Sequence, residues 1–341
     1  MISAAERVTV GQTSLQVSRL GLGTVPLGNL YSEVTDTAAA ATLSAAWDQG
    51  LRWFDTAPVY GYGLAERRLG AALAGREEDE YVLSTKVGRL LRGDASPDPA
   101  LSPGGVPFFV ETPALNPVFD FSAEGVRRSL EESLERLGVA RCDVVFIHDP
   151  DDHFEEAVTD AYPALHALRE EGIVGAIGVG MTQSAMLARF VAETDIDCVM
   201  LAGRFTLLDQ DALDELFPRC VSRGISVLLG GVLNSGILAG LGPATYDYVP
   251  APPDVVLRAR RIAEVCARHG VPLAAAALQF PFRNSAVTAA VVGMRNASEV
   301  MTNVMLLGRE IPDDLWQELE HLNLVRANDR TGPAEPPSEN S

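Results

Sequence analysis

What most restricts the fold of this chain is a rhythm: eight short apolar or β-branched runs separated by helix-like stretches. The runs fall at 18–23, 52–56, 81–87, 143–148, 175–180, 199–203, 225–230 and 288–293. Between them, 37–48, 123–137, 157–170 and 253–269 carry helical periodicity. Strand-then-helix repetition implies a parallel sheet with helices on its faces. Runs such as 144–147 and 227–230 are continuously apolar, as expected of strands covered on both sides. Eight such units in 341 residues fit an α/β fold of the (β/α)8 TIM-barrel type better than two doubly wound halves. A single barrel domain over 1–326 is expected. The 47% hydrophobic content is enough to fill such a core.

Three segments depart from the rhythm. Alternating residues around Gly11–Gln12 read as an N-terminal β-hairpin able to cap one end of the barrel. Residues 91–121, a long loop after the third strand, hold Pro97, Pro99, Pro103, Pro107, Pro113 and Pro117. Phe108, Phe109, Phe119 and Phe121 argue that this loop is ordered and functional. Residues 327–341, rich in Pro, Glu, Asn and Ser, read as a flexible tail.

Charge excludes whole classes of partner. Twenty-seven Lys+Arg against 46 Asp+Glu leave a net −19, which repels nucleic acid and anionic lipid. There is no long uncharged apolar stretch to cross a membrane, and the first residues have no signal-peptide pattern. The expected partner is a small-molecule substrate. Cys142, Cys198, Cys220 and Cys266 are scattered with no CxxC pair, so a reducing, cytoplasmic setting is expected.

In a barrel of this kind, reactive groups gather at the C-terminal ends of the strands. Asp55 ends the second run, Tyr60 follows in its loop, Lys86 lies at the end of the third, and His148 ends the fourth. Each alone has an ordinary structural explanation: a helix cap, an ion pair, packing, a satisfied core histidine. Four polar groups at one barrel mouth need a shared network. A cation near a tyrosine favours tyrosinate, so Lys86 is expected to lower the Tyr60 pKa, with Asp55 holding the lysine. A neutral His148 can donate to a carbonyl oxygen. The set suits interconversion of carbonyl and alcohol. Hydrolysis fits poorly without a Gly-x-Ser-x-Gly elbow. The histidines (His148, His153, His166, His269, His321) form no HExxH or zinc spacing, so no metal is expected.

Such chemistry without metal requires a hydride carrier. Gly21–Pro26 and Gly178–Gln183 resemble dinucleotide fingerprints, but Pro26 and Gln183 stand where the third glycine belongs. A barrel can instead hold phosphates on the turns after its seventh and eighth strands, here 230–236 and 292–299, with Arg295 as a fixed cation.

These motifs carry a family resemblance. Gly21-Leu22-Gly23-Thr24, Phe54-Asp55-Thr56-Ala57 running to Tyr60-Gly61, Ser84-Thr85-Lys86-Val87, Ile147-His148-Asp149 and Gly293-Met294-Arg295-Asn296 resemble the aldo-keto reductases over about residues 7–325. The resemblance implies the barrel, a nicotinamide cofactor extended across its mouth, and a catalytic tetrad of Asp55, Tyr60, Lys86 and His148. Carried over motif by motif, the cofactor contacts are Gly23, Thr24, Asp55, Thr182, Gly230, Leu233, Asn234, Gly236, Gly293, Met294, Arg295, Glu299 and Asn303. Finer motifs at 117–122, 126–131, 147–151, 200–208 and 234–238 are similar to the branch of L-fucose (D-threo-aldose) 1-dehydrogenases and pyridoxal 4-dehydrogenase. That branch implies oxidation of the anomeric carbon of an aldose to a lactone. Oxidation of pyridoxal, or reduction of a small aldehyde or ketone, is the alternative. A sensor or channel subunit that binds the nucleotide without turnover is the rival of another class. The chain departs from the wider family at Gly180-Met181, where a Ser-Asn pair usually grips the carboxamide. It departs also at Gly230, the usual place of a stacking aromatic, and near Ala202, the usual place of a Gln.

NAD is favoured over NADP. Glu299 lies one helical turn beyond Arg295, on the same side. A carboxylate there repels a 2′-phosphate and can accept from a ribose hydroxyl. The net charge adds a bias the same way, screened beyond about 10 Å.

Overall fold

The structure is a computed structural model that describes residues 1–240 and 245–327. The tail expected to be flexible lies, apart from Ala327, outside the described residues. Each of the eight runs is a strand: β1 (Leu20–Gly23), β2 (Trp53–Asp55), β3 (Val82–Val87), β4 (Cys142–His148), β5 (Val174–Met181), β6 (Cys198–Ala202), β7 (Ser226–Gly230) and β8 (Val287–Gly293). They pair in parallel, in chain order, and β8 pairs with β1 to close the barrel. Helices between them form the outer layer: α1 (Asp36–Asp48), α2 (Leu64–Leu73), α3 (Ala123–Leu137), α4 (Tyr162–Glu170), α5 (Ser184–Glu193), α6 (Leu216–Arg223), α7 (Pro253–Arg268) and α8 (Leu273–Gln279). After β8 come α9 (Ala297–Leu307) and α10 (Asp313–His321). The ends of α3 follow its caps. Ser122 Oγ accepts from Gly125 N–H, and Gly138 takes the left-handed conformation that ends the helix.

Strand alternation sets the site. Trp53, Val82, Val144 and Phe146 belong to the core inside the barrel, whereas Phe54, Leu83, Val87, Val145 and Ile147 pack outward against the helices. With a period of two, Asp55, Ser84, Lys86 and His148 continue the inward set at the top of β2, β3 and β4. Register brings them level. Asp55 pairs with Gly23 on one side and Ser84 on the other, Lys86 with Phe146, and His148 with Gly180. The large interior rings need small neighbours: a Cβ on Gly21 would lie 2.6 Å from the Trp53 ring.

The hairpin Arg7–Thr9 with Gln16–Ser18 is present, and Val10 and Val17 join the interior core. Gly11 N–H donates to Ser226 Oγ at 2.7 Å, at the start of β7. The hairpin therefore closes the barrel floor, opposite the ends that carry Asp55, Lys86 and His148.

Two details differ from the sequence reading. The long loop after β3 contains an antiparallel ribbon, Arg89–Arg92 with Asn116–Phe119, whose Pro117 is tolerable because a two-stranded ribbon has free edges. The helical stretch expected at 157–170 begins instead at Phe154 and passes through a π-helical turn at Ala157–Ala161 before α4. Pro163 lacks the N–H that a regular turn would use, which explains the widened turn ahead of it.

Candidate active site

At the mouth, Lys86 Nζ donates to Asp55 Oδ2 at 2.7 Å and to the Thr56 carbonyl at 2.9 Å. Both side chains are almost fully buried, 2% and 4% exposed. Asp55 Oδ1 accepts from Ser84 Oγ at 2.8 Å, and Ser84 Oγ in turn accepts from the Trp53 indole N–H at 3.0 Å. The lysine ammonium sits 4.7 Å from the centroid of the Tyr60 ring. The His148 ring stands edge-on to Tyr60, with centroids 6.1 Å apart. The structure thus brings together all four residues that the strand-end reading selected.

The electrostatics correct one expectation. The Tyr60 hydroxyl is pushed well above the usual tyrosine value, first by burial, then by the carboxylates of Asp55 and Asp149, with Arg89 opposing. Lys86 does not bring it below the ordinary value: its ammonium is engaged by Asp55 and Thr56 and lies over the ring face. In the free protein Tyr60 is therefore a phenol. His148 is held well below its ordinary value by burial, and then by Arg89 and Lys86. It is neutral at pH 7 and able to donate one N–H.

Tyr60 owes its position to a close crossing of two backbones. Gly61 has φ +63°, and a Cβ there would come 2.7 Å from Gly28 Cα. Replacing Gly61 by Ala combines left-handed strain with overpacking. We expect a stability loss of roughly 1–3 kcal/mol together with a fall in turnover, because the displaced loop carries the phenol. Thermal unfolding and kcat measured on the same preparation check this; an unaltered kcat would show that the crossing does not set the position of Tyr60.

Beside Tyr60 opens a cavity of about 410 Å³. Of the residues assigned to the cofactor, Gly23, Asp55, Gly230, Leu233, Gly236, Gly293, Glu299 and Asn303 line it. Thr24, Thr182, Asn234, Met294 and Arg295 do not. Met294 is fully buried and Thr182 is exposed. Asn234 Nδ2 is spent on the Gly203 carbonyl at 3.0 Å. Arg295 donates through its guanidinium to the carbonyls of Leu30 and Ser32, bracing the loop after β1. Glu299 caps α9: its carboxylate accepts from the Arg295 backbone N–H at 2.7 Å and from Asn296 Nδ2 at 2.9 Å. Tyr31, at the end of the loop after β1, and Tyr248, a position that sequence did not mark, supply aromatic surface to the cavity.

The cavity suits a dinucleotide. Its wall at the ends of β1, β7 and β8 is glycine, which lets a ligand approach the backbone closely. At Gly293 an added Cβ would also meet Pro26 at 3.0 Å. Thr24 Oγ1 and Asn234 Oδ1 are buried with no hydrogen-bond partner among the described residues.

Sequence reasoning also passed over the pair Arg89–Asp149, joined at 2.7 Å beside His148. The signal available was the Arg placed three residues after Lys86 and the Asp adjoining His148.

Comparison with known proteins agrees with this geometry. The sequence profile of the Aldo/keto reductase family matches residues 19–324. Over 318 residues the chain is 42% identical to a D-threo-aldose 1-dehydrogenase of Pseudomonas sp, covering 91% of this chain and 95% of that one. Over 348 residues it is 38% identical to the pyridoxal 4-dehydrogenase of Microbacterium luteolum, covering 95% and 99%. The solved glycerol dehydrogenase of Gluconobacter oxydans shares the fold, with a TM-score of 0.73 at 22% identity over 97% of this chain and 100% of that one. The chain belongs to the aldo/keto reductase family. It is an NAD(P)-dependent oxidoreductase, like the dehydrogenases it resembles.

Proposed function

We propose that the protein oxidises the anomeric carbon of an aldose of the L-fucose (D-threo-aldose) type to a lactone. The observation that carries this reading is the convergence of Tyr60 and His148 over the buried Lys86–Asp55 pair, beside a glycine-walled cavity. The similarity to the D-threo-aldose 1-dehydrogenase supports the choice of substrate.

In this mechanism the anomeric hydroxyl lies between the Tyr60 hydroxyl and the neutral His148 imidazole. His148 donates to that oxygen and orients it. Tyr60, once deprotonated, takes the hydroxyl proton as the C–O bond gains double-bond character. The phenol's raised pKa makes it a reluctant base, so turnover in the oxidative direction rises toward alkaline pH, and in the reverse direction Tyr60 is the proton donor. Lys86 and Asp55 fix the floor of the site. Gly23, Gly230, Leu233, Gly236, Gly293 and Asn303 would hold a nicotinamide dinucleotide, which would supply a hydride acceptor beside the anomeric carbon.

NAD is the preferred form. Arg295 is committed to the carbonyls of Leu30 and Ser32, which leaves it poorly placed to meet a 2′-phosphate. Glu299 places a carboxylate on the cavity wall. The test is reduction of NAD⁺ and NADP⁺ at 340 nm with L-fucose and with pyridoxal, in wild type and Glu299→Gln. We expect L-fucose with NAD⁺ to give the highest kcat/KM, and Glu299→Gln to narrow the preference for NAD⁺. A wild type that prefers NADP⁺ would refute the cofactor choice. An unchanged ratio in the variant would remove Glu299 from it. A higher kcat/KM for pyridoxal would install the second reading, which the similarity to pyridoxal 4-dehydrogenase supports.

A further inference from the structure

Two charged side chains beside the tetrad have no part in that proton transfer. Arg89 begins the ribbon after β3, and Asp149 is the residue at which the chain leaves β4. Asp149 is held from two directions. Its backbone N–H donates to the Gly180 carbonyl at 2.9 Å, with φ at +44°, and its Oδ2 accepts from Arg89 Nη2 at 2.7 Å. The Arg89 guanidinium lies 4.8 Å from the centroid of the Phe119 ring, which fixes it from the other side.

The pair is lopsided in a way that a purely structural ion pair need not be. The Arg89 side chain is only 10% exposed, whereas that of Asp149 is 34% exposed. Arg204–Asp247 and Arg326–Asp214 in the same molecule use both carboxylate oxygens. Asp149 uses one, and its Oδ1 takes no hydrogen bond from any described residue. An unsaturated carboxylate oxygen, on a partly exposed side chain held beside His148, is an acceptor waiting for a donor. Its neighbour is the group that holds the reacting oxygen. Asp149 Oδ2 is 3.5 Å from His148 Nε2, long for a hydrogen bond, which leaves that nitrogen free for substrate. The charge of Asp149 also reaches the Tyr60 hydroxyl.

In an aldose ring the next polar atom beyond the anomeric oxygen is the hydroxyl of the adjoining carbon. We propose that Asp149, positioned by Arg89, accepts a hydrogen bond from this vicinal hydroxyl and so selects aldoses that carry it. The inference rests on the aldose reading of the function. In it, Asp149 touches substrate and determines specificity, and Arg89 is a positioning residue acting through it.

The experiment compares L-fucose with 2-deoxy-L-fucose, at saturating NAD⁺, for wild type, Asp149→Asn and Asp149→Ala. A charge-assisted hydrogen bond predicts that wild type favours L-fucose by about 10- to 100-fold in kcat/KM. The change at Tyr60 acts on both sugars alike, so the readout is their ratio: both variants should bring the L-fucose preference close to one. Activity retained on the deoxy sugar shows that the variants are folded. Arg89→Lys, which keeps the charge at the pair, should preserve more of the preference than Arg89→Met. Equal losses on both sugars, or a wild type indifferent to the missing hydroxyl, would overturn the proposal. If wild type oxidises neither sugar, the aldose reading falls and takes this inference with it. If wild type oxidises L-fucose and the preference survives in both Asp149 variants, this inference alone falls.

Discussion

Replacing Tyr60 by Phe should reduce kcat by about 10²–10⁴-fold, the range typical of a positioned proton donor or acceptor, and leave dinucleotide affinity nearly unchanged. The substitution removes one oxygen and keeps the ring, which packs edge-on against His148 and beneath the Lys86 ammonium. The glycine wall at the ends of β1, β7 and β8 is untouched. Two measurements separate the roles: steady-state kcat with L-fucose, and NADH affinity from quenching of intrinsic fluorescence. A variant with near-normal kcat would mean that another group moves the proton. A variant that lost cofactor binding as well would mean that the hydroxyl helps to hold the dinucleotide.

Lys86→Met should be comparably damaging and in addition structurally costly. The lysine is 2% exposed and Asp55 4%, with 2.7 Å between them. Removing one partner of such a pair leaves a buried charge uncompensated, a loss of about 3–5 kcal/mol. Function should also change in a directional way. Asp55 already pushes the Tyr60 hydroxyl upward, and burial does so more strongly. Without the ammonium beside it, the Asp55 carboxylate acts on the phenol unopposed, so the alkaline limb of the oxidative pH profile should move to higher pH. Denaturant unfolding reports the first effect and kcat against pH the second. A stability loss with an unmoved pH profile would reduce Lys86 to a structural role.

The parts of the molecule that could be read from sequence are those set by short-range pattern. Runs such as 144–147 are apolar because the strand is covered on both faces, and alternation along β2, β3 and β4 puts Asp55, Lys86 and His148 on the inward set with Trp53, Val82 and Phe146. What was not legible depends on contacts between segments far apart in the chain. Arg295 looked like a phosphate ligand because nothing local reveals that the carbonyls of Leu30 and Ser32 receive its guanidinium. The ribbon 89–92 with 116–119 went unseen because its strands are separated by a proline-rich excursion and one of them contains Pro117. The net shift of Tyr60 was anticipated in the wrong direction, since proximity of a cation can be inferred from a motif and burial of the phenol cannot.

The buried relay under the tetrad has a consequence for where protons travel. From Lys86 it runs to Asp55, to Ser84 and ends at the Trp53 indole. An indole N–H only donates and cannot pass a proton on. Beyond it lie apolar side chains such as Phe146, Met200 and Leu228, down to the valines of the hairpin. Among the described residues the wire is a dead end: its hydrogen bonds do not continue past Trp53 toward the barrel floor. Each proton given up in oxidation has to leave by the opening through which the sugar entered. A pH-indicator trace of a single turnover should therefore lag behind the 340 nm signal and keep pace with lactone departure; an indicator signal that kept step with the absorbance change would reveal a second exit.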